Sequence, residues 1–386
     1  MTHPVQYVRP ALEAMASNPR LELLALFGCD QGIRERLDPD FGVSFSWDCS
    51  PTQGFEHQFL SHQPLHDLNR WIPASYLALK AWRRLHAYQP DAVLVFAYSP
   101  LFITITTLLL RLSGIRLLLR AEATDRALHR NGFKAFVRDC CLRIWYQGFQ
   151  YVFPIGRDSD HHFQRLGVPM RRRVPVPYAV DVDYFASQIR HWLPQRYSLR
   201  QAAGIPAEDL VLLWSAKMTH IKNPALLLAA LQRLTVEVRQ RLWLVAVGDG
   251  PLRSVFEQGA KRLMPGRVLF QGFLNQSQLA TSYAMADVLI FPSFAGETWG
   301  LVVNEALQFG IAVIASDHAG STRDLLDPLY TVPEGSSVFP SGCAAALAEA
   351  INAFAVCYPN GYTPKPVQHL PHPCQLADAV GLVLQL

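Results

Sequence analysis

Two glutamates, Glu297 and Glu305, stand eight residues apart in the run LIFPSFAGETWGLVVNEALQFGIAVIASDHAGSTRDL, residues 289–325. Residues 289–291 are a short apolar run stopped by Pro292, the pattern of a buried parallel strand. Residues 294–297 read as a loop in which Gly296 permits a tight backbone. Residues 300–309 are apolar at helical spacing and end at Gly310, a C-cap residue. Residues 311–315 read as the next strand and 317–322 as its exit loop. Glu297 therefore lies at the lip of a strand, just ahead of a helix whose first N–H groups lack partners and favour a phosphate. Glu305, one to two turns inside that helix, is a carboxylate able to accept from vicinal hydroxyls. One loop–helix unit could hold a sugar, a diphosphate and a ribose in sequence. Spacing alone leaves a second reading open, in which both glutamates are solvated residues at a helix start.

The run GETWGLVVNEALQFGIAVIASDHAG resembles the donor-site signature of family-4 glycosyltransferases, retaining enzymes of the GT-B fold. Glu297 and Glu305 fall on that family's two glutamates, and Trp299-Gly300 on its usual Phe-Gly. Upstream, residues 210–215 read as a strand, followed by Lys217 and Lys222 and an apolar helix to about residue 234. This resembles the family element in which two cations meet the donor diphosphate, with Ala216 where a glycine is usual. The chemistry explains such cations. The reaction expels a nucleoside diphosphate, and without a metal the developing charge must be met by fixed cations and helix N-termini. No DxD sequence stands in a metal-loop position. The turn Gly248-Asp249-Gly250-Pro251 resembles the family's GxGP turn, and the loop of Gly272 and Phe273 one whose backbone contacts the nucleotide base in relatives.

Bulk properties fit two domains with large cores. The chain has 386 residues, of which 50% are apolar and 17% charged, arguing for burial and against disorder. A net charge of +4 is too small to argue for nucleic acid. Seven scattered cysteines, Cys140 and Cys141 adjacent, suit a reducing compartment better than a disulfide framework. No Cys or His cluster has metal-ligand spacing. The most apolar run, 101–110, is too short to span a bilayer.

The first half is less diagnostic. Relatives of the resembling family open with a buried strand, whereas Met1 here leads at once into the loop 2–7, so the first strand is expected to be missing, through an upstream start or a truncation. That loop, with His3 and Gln6, would face the donor across the cleft. Residues 40–60 are aromatic and loop-rich, with Trp47, Asp48 and Phe55 as acceptor-side candidates, although aromatic loop residues more often pack than bind. Residues 73–88 are an amphipathic helix, with Tyr76, Leu77 and Leu85 on its apolar side and Lys80, Arg83 and Arg84 on the other. It could cover the sheet or lie on a membrane surface. Further strands are expected at 92–96, 116–120 and 151–155, with helices at 101–112 and 133–146. The loop after residue 120 leaves the carboxyl end of a strand, where doubly wound sheets bind ligands, so Arg120, Glu122 and Asp125 are well placed. The resemblance implies a catalytic role for Arg120 and Glu122; a surface ion pair of Glu122 with Arg120 or Arg126 competes.

The resemblance implies an α/β chain of the GT-B fold, two doubly wound Rossmann-like domains facing across a cleft. The expected boundaries are an acceptor-side domain at 1–185, a linker at 186–209, a nucleotide-sugar domain at 210–365, and a tail at 366–386 that crosses back to the first domain. The implied reaction is transfer of a sugar from a nucleotide-diphosphate sugar to a glycan, lipid or other acceptor, with retention of configuration and without metal or cofactor. Lys217 and Lys222 would clamp the diphosphate. Glu305 would bind the ribose and Glu297 the sugar or its cationic transition state. Gly300 and Leu301 would offer N–H groups to phosphate, and Thr298, Trp299, Gly272 and Phe273 would complete the donor site. Nucleic acid is not an expected partner, and membrane contact is at most peripheral, at the inner face of the membrane of a cytoplasmic enzyme of polysaccharide assembly. The alternatives are a degenerate homologue that binds the donor without turnover, a sugar-nucleotide epimerase of the same architecture, and a sugar- or nucleotide-binding scaffold.

Overall fold

The computed structural model of the protein describes residues 1–33, 36–38, 43–45, 48, 50–62, 64–126, 132–294, 296–327 and 332–385. They divide into two compact units: Met1–Arg36 with Phe45–Tyr178 and Pro371–Leu386, and Leu37–Ser44 with Ala179–Leu370.

In chain order the elements up to Tyr178 are α1 (Arg9–Ser17), β1 (Leu24–Phe27), β2 (Arg36–Asp38), β3 (Val43–Phe45), β4 (Glu56–Phe59), α2 (Trp71–Tyr88), β5 (Ala92–Phe96), α3 (Leu101–Leu112), β6 (Arg116–Ala121), α4 (Phe133–Gln147), β7 (Tyr151–Pro154) and α5 (Arg157–Arg165). Strands β5, β6 and β7 form a parallel sheet. The pair β1 and β4, also parallel, is a separate sheet, and β2 pairs with β3 in a third. The expected continuous sheet is thus interrupted between β1 and β5. Helix α2 turns Ala74, Leu77, Ala78, Ala81 and Leu85 into the core shared with α3, so it covers the sheet. Tyr76, expected on its apolar side, is 68% exposed. Small residues at the helix contact let α2 approach closely, and there is no room for a tyrosine ring.

The remaining elements are α6 (Val182–Trp192), α7 (Arg196–Ala202), β8 (Leu210–Ser215), α8 (Pro224–Arg233), α9 (Val236–Arg239), β9 (Leu242–Val247), α10 (Arg253–Leu263), β10 (Val268–Gly272), α11 (Gln276–Met285), β11 (Val288–Phe291), α12 (Val302–Phe309), β12 (Ala312–Ser316), α13 (Gly320–Leu325), β13 (Ser337–Phe339), α14 (Ala344–Cys357) and α15 (Cys374–Leu384). Six parallel strands make one sheet in the order β10-β9-β8-β11-β12-β13. Every residue of β8, β9, β11 and β12 is buried, as continuous apolar runs between two helical layers require.

Two expectations are corrected here. The segment 186–209, read as a linker that is a helix at best, is packed into its unit: α6 and α7 lie on α11, and Arg200 of α7 is only 4% exposed. Its polar composition misled because its arginines are partnered inside the unit, as described below. Residues 317–322, read as a loop, include the first turn of α13. Helix α15 lies in the first unit, where Leu376, Ala377, Val380 and Val383 share a core with Val8, Leu12 and Met15 of the N-terminal segment.

Candidate functional site

The strand order reverses between β8 and β11. Strands β8, β9 and β10 run outward on one side, and β11, β12 and β13 on the other. Crevices for ligands form beyond the carboxyl ends of strands at such a switch point, where the connections leave for opposite sides of the sheet. The pairing of Val288 with Leu212 and of Leu289 with Leu213 sends the loop after Ser215 and the loop after Phe291 out side by side. The N–H of Phe294 donates to the Ile221 carbonyl at 2.9 Å, tying the two loops together.

This juxtaposition joins two groups that the sequence separates. The Lys222 ammonium is ion-paired with the Glu297 carboxylate and stands 5.2 Å from the centre of the Phe291 ring. Glu297 is largely buried and Lys222 partly so, which strengthens their attraction over that of a surface pair. Lys217 leaves the end of β8 in the same loop, partly buried. The turn that supports it leaves no space: a Cβ on Gly248 would lie 2.0 Å from the Ala216 carbonyl oxygen, and Gly248 has φ +120°. The Met218 N–H completes the contact by donating to the Asp249 carbonyl at 2.8 Å. Gly272, buried with φ +71°, accepts from the Gly248 N–H at 2.7 Å. Phe273, beyond it, is partly exposed.

The loop into α12 is shaped by Gly300, whose φ is +93° and whose Cβ would press to 2.5 Å from the Phe291 ring. Leu301 caps the helix, its carbonyl accepting from the Glu305 N–H at 3.1 Å. Thr298 is partly exposed. Trp299 is not available to a ligand through its side chain: it is 3% exposed and its indole N–H donates to Asn304 Oδ1 at 2.9 Å. Its carbonyl receives the Ser321 hydroxyl at 2.6 Å, so Trp299 braces the loop against α13. The aromatic at this position is explained by packing.

Glu305 faces α11. The buried Tyr283 hydroxyl donates to its Oε2 at 2.6 Å, and the Tyr283 ring stacks on Phe309 at 5.4 Å. Burial pushes the Glu305 carboxyl up to about 7, against the opposing effect of the Tyr283 bond. Burial, then the Glu305 carboxylate, pushes the Tyr283 phenol well above its ordinary range, so the tyrosine stays a donor. The Glu305 carboxylate is therefore held in place by a residue that sequence spacing did not indicate.

In the first unit Glu122 accepts from the Tyr178 hydroxyl at 2.5 Å and from that of Tyr7 at 3.3 Å, and the two rings meet edge to face at 5.6 Å. Arg120 is 4% exposed, donates to the Val176 carbonyl at 2.9 Å and lies 4.8 Å from the centre of the Tyr178 ring. It braces the tyrosine that holds Glu122. Arg126 reaches Asp158 at 4.0 Å. Asp125 is occupied structurally: His162 Nδ1 lies 2.7 Å away, and Arg165 binds both of its oxygens at 2.7 and 2.8 Å. Although burial pushes its carboxyl up, the bonds from Arg165 and His162 carry it down to about 2. His3 is partly buried and sits 3.0 Å from the Thr2 hydroxyl, with burial and the neighbouring N-terminus lowering its imidazole pKa. Gln6 is partly buried and Asp48 exposed. Trp47 lies outside the described residues. Among the described residues, no group of three or more His, Cys, Asp or Glu side chains could hold a metal ion.

The partners of one buried cluster were not foreseen from the sequence. Asp287, fully buried, is ion-paired with Arg196 and with Arg200, the latter at 2.5 Å, and accepts from the Val211 N–H at 2.6 Å. It anchors α7 to the strands that carry the switch point. An acidic residue immediately before an apolar strand was the available signal.

Residues 195–358 match the family model described as glycosyl transferases group 1. A D-inositol 3-phosphate glycosyltransferase of Xylanimonas cellulosilytica is 31% identical over 182 residues, 46% of this chain and 42% of that one. A phosphatidyl-myo-inositol mannosyltransferase of Mycobacterium tuberculosis is 31% identical over 183 residues, 47% of this chain and 44% of that one. The chain thus spans less than half the length of these curated relatives. In structure it is similar to Anabaena HepE, solved in complex with UDP, with a TM-score of 0.64 at 17% identity over 99% of this chain and 94% of that one. It is also similar to WaaG, a glycosyltransferase involved in lipopolysaccharide biosynthesis, with a TM-score of 0.64 at 15% identity over 100% and 98%. The fold is the GT-B fold of these solved structures, and residues 195–358 are similar to the glycosyl transferases group 1 family.

Proposed function

We propose that the chain transfers a sugar from a nucleoside-diphosphate sugar to a glycan, lipid or other acceptor, without a metal ion and with retention at the anomeric carbon. The observation that carries this reading is the meeting of Lys222 and Glu297 at the switch point, beside the start of α12. The bond from the sugar's anomeric carbon to the diphosphate breaks, and a bond from that carbon to the acceptor oxygen forms. The acceptor hydroxyl loses its proton, and the leaving diphosphate takes the electron pair. Lys217 and Lys222 meet the charge that gathers on the diphosphate, with the N–H groups of Gly300 and Leu301 at the helix start. Diphosphate binding draws Lys222 away from Glu297 and frees that carboxylate for the sugar hydroxyls or the cationic transition state. Glu305, held by Tyr283, takes the ribose hydroxyls. In the first unit, Glu122 on its two tyrosines is the group assigned to the acceptor hydroxyl, with Arg120 as a positioning residue.

Thermal melting with UDP, GDP and ADP, in the presence of chelator, tests the donor assignment. A nucleotide at about a hundred times its dissociation constant should stabilise the chain by about 2.7 kcal/mol. The expected result is a shift with one nucleotide that is lost in Glu305→Ala. No shift with any of the three overturns the reading.

A further inference from the structure

Glu305 and Phe309 stand one helical turn apart on α12 and share one of its faces. That face meets Tyr283 of α11 at two points. The Tyr283 hydroxyl donates to Glu305 Oε2 at 2.6 Å, and its ring stacks on Phe309, 5.4 Å away and within 17° of parallel. Tyr283 is fully buried, so its hydroxyl cannot turn to water.

A third partner decides where the phenol proton goes. The buried Ser215, last residue of β8, also bonds the Tyr283 hydroxyl. Burial and then the Glu305 carboxylate push the phenol up, whereas Ser215 pulls it down. The opposite signs assign the directions: a donor to the phenol oxygen favours the phenolate, and an acceptor of its proton disfavours it. A phenol carries a single proton. With Ser215 donating into the oxygen, that proton is committed to Glu305.

Ser215 is a firm origin for such a chain. It pairs with Val247 in the ladder of β8 and β9, and the Ala216 N–H donates to the Val247 carbonyl at 3.1 Å. Only Ala216 separates it from Lys217. The bonds from Ser215 to Tyr283 to Glu305 therefore tie the carboxylate on α12 to the root of the loop that carries both lysines. Burial raises the Glu305 carboxyl and the Tyr283 bond lowers it. The titratable side chains on the other helices packed against α12, namely Asp183, Tyr184, Arg190 and His191 of α6 and Arg323 and Asp324 of α13, do not shift it.

We propose that Ser215 and Tyr283 are positioning residues of the donor site, a relay that holds the Glu305 carboxylate in one orientation, in register with Lys217 and Lys222, and leaves Oε1 for the ribose hydroxyls. This role rests on the reading of Glu305 as the ribose ligand. The Tyr283 bond also favours the charged carboxylate, the stronger acceptor for hydroxyls. Losing it should weaken nucleotide binding in a way that depends on pH.

The test is calorimetric titration of UDP, GDP and ADP, with chelator present, into wild type, Tyr283→Phe, Ser215→Ala and Ser215→Thr from pH 6 to pH 9. Tyr283→Phe keeps the stacked ring and removes only the hydroxyl. For the nucleotide that binds wild type, its dissociation constant should rise about tenfold at pH 7. The pH of half-maximal affinity should move upward, because a carboxyl without its donor ionises later, and the deficit should shrink by pH 9. Ser215→Ala should move both quantities the same way by less, and Ser215→Thr, which retains the hydroxyl, should behave as wild type. A deficit in Tyr283→Phe that is equal at every pH is a packing effect and overturns the proposal; so do a dissociation constant and a pH midpoint equal to wild type. If Tyr283→Phe fails to fold, Ser215→Ala leaves the ring and its stack in place and is read against the same two refuting outcomes. No binding of any nucleotide to wild type overturns the donor reading and the relay with it. Binding that is lost in Glu305→Ala but unchanged in Tyr283→Phe overturns the relay alone.

Discussion

Replacing Glu305 with Gln should stabilise the free protein at pH 8 and leave it unchanged near pH 4. The reason is the proton that burial makes Glu305 hold. Its carboxyl rises from 4.5 in the unfolded chain to about 7 in the folded one. Between those values the native state binds the proton and the unfolded state does not, so stability falls as pH rises through this window. The penalty is absent below about pH 4.5 and complete above about pH 7. A tenfold change in proton affinity is worth about 1.4 kcal/mol, which sets a ceiling of about 3 kcal/mol. Glu305 keeps some exposure, so solvent screening should reduce this to about 1–2 kcal/mol. Glutamine is close in shape, carries no charge to desolvate, and its carbonyl can accept the Tyr283 hydroxyl. The assay is urea unfolding of wild type and Glu305→Gln at pH 4, 6 and 8 without nucleotide. Other titrating groups are common to both proteins, so the difference between the two curves isolates this carboxyl. A difference that stays the same from pH 4 to pH 8 would refute the argument. On the proposed ribose-binding role of Glu305, the order should reverse with the donor nucleotide present, since the variant would lose charged hydrogen bonds worth about 1.5–3 kcal/mol.

Two further substitutions test the scaffold of the site. Gly248→Ala places a Cβ 2.0 Å from the Ala216 carbonyl at φ +120°, and should lower stability by more than about 2 kcal/mol; a melting midpoint equal to wild type would remove the close approach from the account. Arg200→Ala strips a partner from the buried Asp287 carboxylate and should cost about 3–5 kcal/mol, read from denaturant unfolding. A loss below about 1 kcal/mol would mean that Arg196 alone satisfies Asp287.

Local pattern carried much of the fold. The apolar runs at 92–96, 101–112 and 210–215 coincide with β5, α3 and β8, since hydrophobic periodicity and chain punctuation are properties of neighbouring residues. The end of α12 at Gly310 was legible for the same reason: its φ of +71° is one that glycine adopts without strain. The segment 186–209 failed because charged residues ordinarily mark solvent, and nothing local reveals that Arg196 and Arg200 are spent on a carboxylate 91 and 87 residues away.

The candidate site divides in the same way. Lys217, Lys222, Glu297 and Glu305 were singled out by their match to a family signature, since their spacing alone left open that the glutamates are solvated residues at a helix start. Only the tertiary structure could pair Lys222 with Glu297, 75 residues apart, since that contact follows from the exchange of strand order between β8 and β11. The same holds for Tyr283 under Glu305, for Tyr7 and Tyr178 on Glu122, and for the burial that removes the Trp299 ring from any ligand. Which side chain meets which, and how much water remains around a carboxylate, depend on how sheets and helices stack. A linear pattern contains the elements of that stacking but not their order in space.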